Sequence, residues 1–398
     1  MNVLIISYYF YPENHIASFR INSFAKYFQS AGYSVTVVTK GNQDRTAMWN
    51  GCEINYIKDP VMPHFYKSSK RKKWTIKRIL YSLFYRMVLD PTCVWKIRAY
   101  KKVRELWKTK DFDLVLSSYA PLSTHMTAFK LRKKGYKFYW VADMRDEMSL
   151  SPFLSSYKIR LIKPYERKIL HSADLILSVS EPLIDGFKRF CKHNRFLEIK
   201  NGYDYEEVHD VSFQPQFTMS FIGHFYAIIN PDNWFKAFSE LIRDKEIPSD
   251  CRINIIGNLI KITIPDNIVS NVLQIGEVPH SKAIAMSLEA DVLVVVHPIG
   301  RKGVYTGKLF DYLATNKPIL ALCDPQDVVG ALLNETKSGF VVDEADIAGI
   351  KKMILRCYSI WKNKEVLPRD WGKIRQYTRQ NQAQILLNYL SKNVALHK

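Results

Sequence analysis

Residues 2–7, NVLIIS, form a nearly unbroken apolar run. A strand buried on both faces has this pattern. A polar loop, YYFYPENHIAS, follows. Phe19, Ile21, Phe24, Ala25 and Phe28 then recur near helical spacing, which predicts a helix over 18–31 that Gly32 ends. YSVTVVT (33–39) reads as the next strand. Strand, helix and strand with short connections predict parallel pairing. DLVLSS (113–118), a helix after Pro121, FYWVADM (138–144) and DLILSVS (174–180) continue the rhythm. It restarts after IKNGYD (199–204). TMSFIGH (218–224) runs into a glycine turn, and a helix at 231–243 follows. Then come RINIIGN (252–258), VLQIG (272–276), a helix at 281–289, DVLVVVHP (291–298), a helix at 307–314, PILALC (318–323) and GFVVD (339–343).

The pattern predicts an α/β chain of two Rossmann-like units with parallel sheets, joined near 201–215. The expected domains are 1–205, 206–375 and a C-terminal helix at 376–398 that returns to the first domain. No GxGxxG follows the first strand, so a dinucleotide site is not indicated. Open sheets bind ligands beyond the carboxyl ends of their strands. A central cleft faced by the two units is therefore the expected site. GKLFDYLATNKPIL (307–320) puts Gly307 and Lys308 on the first turn of a helix that a buried strand follows at once. A helix start carries unpaired N–H groups and suits a phosphate.

The chain has 398 residues, 47% hydrophobic and 24% charged, which is globular and long enough for two or three domains. No apolar run approaches the roughly 18 residues that span a bilayer. The start, MNVLIISYYF, has neither a basic leader nor a cleavage site, so no signal peptide is expected. The six cysteines have no paired spacing, as expected of reduced thiols in a cytosolic protein. Net charge is +20, and it is concentrated: His64 to Lys110 holds 15 Lys and Arg against Asp90 and Glu105, a net of +13. Within it, residues 65–89 read as a basic entry followed by an amphipathic helix, with Ile76, Ile79, Leu80, Leu83, Phe84, Met87 and Val88 on one stripe. Lys70 to Lys73, Lys77 and Arg78 add charge, and Trp74, Tyr81 and Tyr85 add interfacial aromatics. One reading lays this helix on an anionic membrane. The other packs its stripe on the first sheet with the charges solvated. Nucleic-acid binding has only the charge in its favour and no recognition motif.

Taken in order, RINSFAKYFQSAGYSVTVVT, SADLILSVSEPLIDGF with IKNGYD, SFIGHF and GKLFDYLATNKPIL resemble glycosyltransferase family 4, retaining enzymes of GT-B fold. WVADMRDEM is similar to the Asp-x-Arg-Asp segment of a bacterial surface-polysaccharide branch. The resemblance implies a UDP- or GDP-linked sugar as donor, no metal or other cofactor, and a glycan or polyprenyl-linked acceptor. It implies work in cell-surface polysaccharide synthesis of capsule, O-antigen or lipopolysaccharide type. The place would be the cytoplasmic face of the plasma membrane.

On the same grounds Lys308 meets the diphosphate, with Thr306 as helix cap and Gly307 admitting the phosphate to the backbone. Tyr305 and Leu309 belong to this stretch, and Arg301 and Lys302 precede it. Asp311 falls where the second Glu of the family motif bonds the ribose hydroxyls. Gly303 replaces the first Glu, which contacts the donor sugar. The Arg and Lys usual after the strand ending in Gly223 are missing, and HIAS replaces a glycine pair in the first loop. Gly223 and His224 face the expected cleft, and Glu277 lies near the base. In the first half, Ser18 and Arg20 open the first helix; Arg20 meets phosphates, an acidic acceptor or a local carboxylate. His125 matches a family histidine near the donor sugar. Asp143, Arg145 and Asp146 either satisfy one another or line the acceptor pocket, where either Asp143 or Asp146 takes a proton from the acceptor hydroxyl or, as the resemblance also allows, the leaving phosphate assists front-face attack with no dedicated base. Two rivals share the fold: a nucleotide-sugar 2-epimerase and a non-catalytic protein that binds a membrane or a partner.

Overall fold

The computed structural model describes residues 1–13, 16–61, 89–191, 195–226, 229–258, 260–298 and 300–394. The amphipathic helix expected after the basic entry, with Lys70 to Lys73, falls outside the described residues. The chain divides into two compact units. One comprises Met1–Lys200 with Gln382–Lys398, and the other Asn201–Asn381. The divisions thus fall at 200 and 381, where the sequence suggested 205 and 375.

The first unit is built on eight strands: β1 (Asn2–Ile6), β2 (Ser34–Gly41), β3 (Arg45–Trp49), β4 (Cys52–Lys58), β5 (Leu114–Ser118), β6 (Tyr139–Asp143), β7 (Leu175–Ser178) and β8 (Phe196–Glu198). Their order across the sheet is β3-β4-β2-β1-β5-β6-β7-β8. All pairs are parallel except β3 with β4. That hairpin is an exception to the expected all-parallel sheet. Its turn is Asn50-Gly51, with φ of 46° and 76°. Two successive positive φ values make the tight turn that best fits strand twist, and Asn-Gly is the commonest pair for it. The signal was in the sequence, in a stretch to which alternation assigned nothing.

Helix α1 (Ile16–Ser30) lays Ile21, Phe24, Ala25 and Phe28 on Val3, Ile5, Val35 and Val37. Next in chain order are α2 (Cys93–Leu106), α3 (Leu122–Lys133), α4 (Ser156–Ser172) and α5 (Glu181–Lys188). The last helix of the chain (Arg379–Asn393) supplies Ala383, Leu386, Leu387 and Leu390 to the same core. Each fully buried side chain of this size is worth about 1.5–3 kcal/mol.

The second unit has β9 (Thr218–Ile222), β10 (Arg252–Ile256), β11 (Val272–Ile275), β12 (Val292–Val296), β13 (Ile319–Leu322) and β14 (Gly339–Val342), ordered β11-β10-β9-β12-β13-β14 and all parallel. Helix α6 (Asp232–Arg243) buries Trp234, Phe235, Phe238 and Leu241, with Asp232 in its first turn and Arg243 in its last. Those charges complement the helix dipole and favour the helix. Helices α7 (His280–Leu288) and α8 (Gly307–Leu313) lead into β12 and β13. The six cysteines are free thiols. Among the described residues no helix is long and apolar enough to cross a membrane, and no cluster of potential metal ligands occurs.

Candidate active site

In the first unit the polar groups gather past the carboxyl ends of β5 and β6. Asp143 ends β6 and is wholly buried. Its oxygens receive Arg20 Nε at 3.2 Å, an Arg20 terminal nitrogen at 3.0 Å and the Ser118 hydroxyl at 2.9 Å. Arg20 also donates to the carbonyls of Ile199 (2.8 Å) and Lys200 (3.0 Å), and its guanidinium lies over the Phe24 ring. Buried charges are stable only when paired and hydrogen-bonded in this way. Two expectations are corrected here. Arg20 is not free to meet a phosphate or an acidic acceptor, and Asp143 is not accessible as a base. Ser18 is also buried, with its hydroxyl on the carbonyl of Glu13 at 2.8 Å, and so lines no ligand surface.

Arg145 donates to the carbonyl of Tyr119 and faces Asp146 at 3.4 Å. Asp146 is 38% exposed, so it is the reachable carboxylate of the segment. His125 on α3 is fully buried. Its Nδ1 lies 2.7 Å from the Ser117 hydroxyl, which accepts a 2.8 Å bond from the Trp140 indole. The Ser117 oxygen thus ties the indole and the imidazole together. Nε2 has no partner. Burial pushes the imidazole pKa down to about 4, so the ring is neutral at pH 7. Helix α4 holds Glu166, also buried, on Ser149; burial raises its pKa to about 7.

In the second unit β9 ends at Gly223, whose φ is +133°. A Cβ there would collide with Lys308 Nζ. Glycine at 223 therefore leaves the space that the lysine head group fills. Lys308 sits on the first turn of α8 with Nζ 4.0 Å from the centre of the Phe221 ring. Among the described residues it makes no ion pair. Burial lowers its pKa to about 7. Thr306 holds the N-cap position of α8 as expected, but its Oγ1 is buried and makes no capping or other hydrogen bond.

Helix α8 is pinned elsewhere. The Tyr312 hydroxyl accepts the N–H of Ile222 at 3.0 Å, and the Tyr205 hydroxyl donates to the carbonyl of Asp311. Asp311 is buried; Oδ2 lies 3.0 Å from His280 Nε2, and Oδ1 has no partner. His280 was absent from the sequence-derived set: one histidine at a helix start carries no signal until its partner is known. His224 and Glu277 do meet, at 3.5 Å, but both are widely exposed. Lys302 faces Asp324 at 3.8 Å, while Arg301 leaves its carbonyl to accept from His297 at 2.8 Å. Leu309 is fully buried and Tyr305 nearly so, edge-on to Phe310; Leu309 is packing and not a contact surface, which corrects its assignment.

Gly303 has a φ of +77°, and its N–H is gripped by both oxygens of Asp327 at 3.0 and 3.1 Å. A glutamate there would adopt a strained backbone, which explains why glycine holds the position.

Residues 17–207 match the family profile Glycosyltransferase Family 4. The match spans just under half of the chain. The chain has the GT-B fold: it is similar over 100% of both chains to the sucrose-phosphate synthase of Thermosynechococcus elongatus, at 13% identity and a TM-score of 0.69. It is similar to an alpha,alpha-trehalose-phosphate synthase (UDP-forming) from Burkholderia xenovorans, solved in complex with glucose-6-phosphate, at 11% identity, a TM-score of 0.64, and 98% and 99% coverage. The alpha,alpha-trehalose 6-phosphate synthase of Burkholderia multivorans gives 9% identity and 0.63 over 100% and 99%. Identities this low speak to fold alone. No curated protein sequence matches the chain.

Proposed function

We propose that this GT-B glycosyltransferase moves a sugar, with retention, from a UDP- or GDP-linked donor to a glycan acceptor. The observation that carries the reading is the unpaired Lys308 ammonium beside Gly223. A partly buried cation with no counter-ion is costly, and such groups occur where a ligand's charge completes them. The bond to the anomeric carbon breaks with charge building on the departing diphosphate. An ammonium fixed at that point stabilises the transition state more than the ground state. A pKa near 7 suits this, because an arriving phosphate draws a proton onto the amine. The reading needs no metal, since Lys308 supplies the charge. His125 Nε2, left without a partner, supports a contact with a hydroxyl of the donor sugar. The exposed Asp146 is the available proton acceptor.

The acceptor in this reading is a polyprenyl-linked glycan of cell-surface polysaccharide synthesis, met at the cytoplasmic face of the membrane. Its support is the net charge of +13 over residues 64–110 and the Asp-x-Arg-Asp segment. The test is calorimetry with UDP, GDP and their sugars, followed by transfer assays. Transfer to a polyprenyl-diphosphate glycan supports the full reading. Transfer only to glucose 6-phosphate overturns the acceptor. Conversion at C2 without transfer favours the epimerase. Nucleotide binding without turnover leaves a non-catalytic protein, and no nucleotide binding at all overturns the donor site.

A further inference from the structure

Asp311 presents a problem of hydrogen bonding. Oδ1 is buried and has no donor, although the residue sits on a helix fixed at two points. Desolvated carboxylate oxygens without a donor are rare, and each asks for an explanation. Lys308, three positions earlier on the same helix, does not supply one: its Nζ lies over Phe221. The other oxygen, Oδ2, is held by His280 Nε2 at 3.0 Å. A carboxylate only accepts, so Nε2 carries the proton. His280 is the first residue of α7, and its backbone is set by the helix start after Pro279. An aspartate has two side-chain torsions. Anchoring one oxygen therefore aims the other.

We infer that His280 is a positioning residue for the donor nucleotide: it turns Asp311 so that the bare Oδ1 receives a ribose hydroxyl. The inference rests on the reading of Asp311 as the ribose contact, and adds the residue that sets its geometry. The ligand chemistry follows from the acceptor. A bare anionic oxygen takes a neutral O–H donor, and repels a phosphate. A diol satisfies it, and a deoxygenated ring leaves it bare.

The experiment compares UDP and GDP with their 2′,3′-dideoxy forms by calorimetry at one pH. The wild type is expected to bind the better ribonucleotide about tenfold more tightly than its dideoxy form, about 1.4 kcal/mol. His280→Phe keeps a ring and removes the donor; it should bring that ratio below about threefold while dideoxy affinity stays within about twofold. His280→Gln keeps an N–H donor and should restore most of the ratio. His280→Ala, which only removes atoms from a side chain 31% exposed, repeats the test if the phenylalanine does not fold. An unchanged ratio in the variants, or equal weakening of both nucleotides, overturns the inference. A wild-type ratio of one overturns the ribose contact while leaving nucleotide binding intact. Failure of the wild type to bind either nucleotide overturns the donor reading and this inference together.

Discussion

The polar clusters past the strand ends of the two units are built in opposite ways. In the first, Arg20 and Asp143 are spent on each other and on neighbouring carbonyls, and Arg145 is tied to Tyr119 and Asp146. In the second, the Lys308 ammonium, Thr306 Oγ1 and Asp311 Oδ1 are left without partners beside β9. Both sets lie past the carboxyl ends of parallel strands, and from the sequence both look like ligand contacts. The difference shows that position in an open sheet is not enough. A satisfied network builds the frame, and unsatisfied groups mark where a ligand is needed. His125, beside that network, keeps one bare nitrogen, and elsewhere in the first unit Asp90 Oδ2 and Arg132 Nε are also without partners.

The contrast predicts different failures. Asp143→Ala strands the Arg20 guanidinium in the interior and should cost about 3–5 kcal/mol of stability in denaturant unfolding. A loss under about 1 kcal/mol would mean that the pair is not structural. Lys308→Ala should do the reverse: kcat/KM for the donor falls about 100-fold with the fold intact. Lys308→Met should even raise Tm at pH 7, because it removes a cation that burial disfavours. Unaltered kinetics would remove Lys308 from the mechanism.

The pH dependence follows from the same group. In the folded chain the lysine pKa lies near 7, below its ordinary value of 10.5. The free enzyme therefore loses the ammonium above pH 7, and kcat/KM should fall by up to about tenfold per pH unit. The unfolded chain binds more protons between those two values, so the lysine's contribution to stability rises with pH across that window. Lys308→Met should flatten both trends. The smallest effect belongs to the exposed His224–Glu277 pair. Glu277→Gln should change stability by under about 1 kcal/mol and donor KM by less than about twofold. A larger change in KM would place Glu277 on the nucleoside.

Much of the fold was legible because parallel strands read as short apolar blocks. NVLIIS, DLVLSS and DVLVVVHP each contain an observed strand. The Arg45–Lys58 hairpin was missed although Asn50-Gly51 announces it. The site was legible as a set of residue types and not as a set of partners. Arg20 and Asp143 lie 123 positions apart, and nothing in either segment says that they neutralise each other. Gly223 and Lys308 are likewise distant, and the reason for the glycine is visible only when the amine stands against it. His280 gained meaning from Asp311, 31 positions away.

The helix at Arg379–Asn393 has a consequence for biosynthesis. Its Leu386 and Leu390 belong to a hydrophobic core otherwise assembled from residues before position 200. A ribosome adds roughly 5–20 residues per second and emits the amino-terminal half first. That half must wait until residues 379–393 have been made before its interior is complete. Until then it displays apolar surface, and it is the stage at which a chaperone would be needed most.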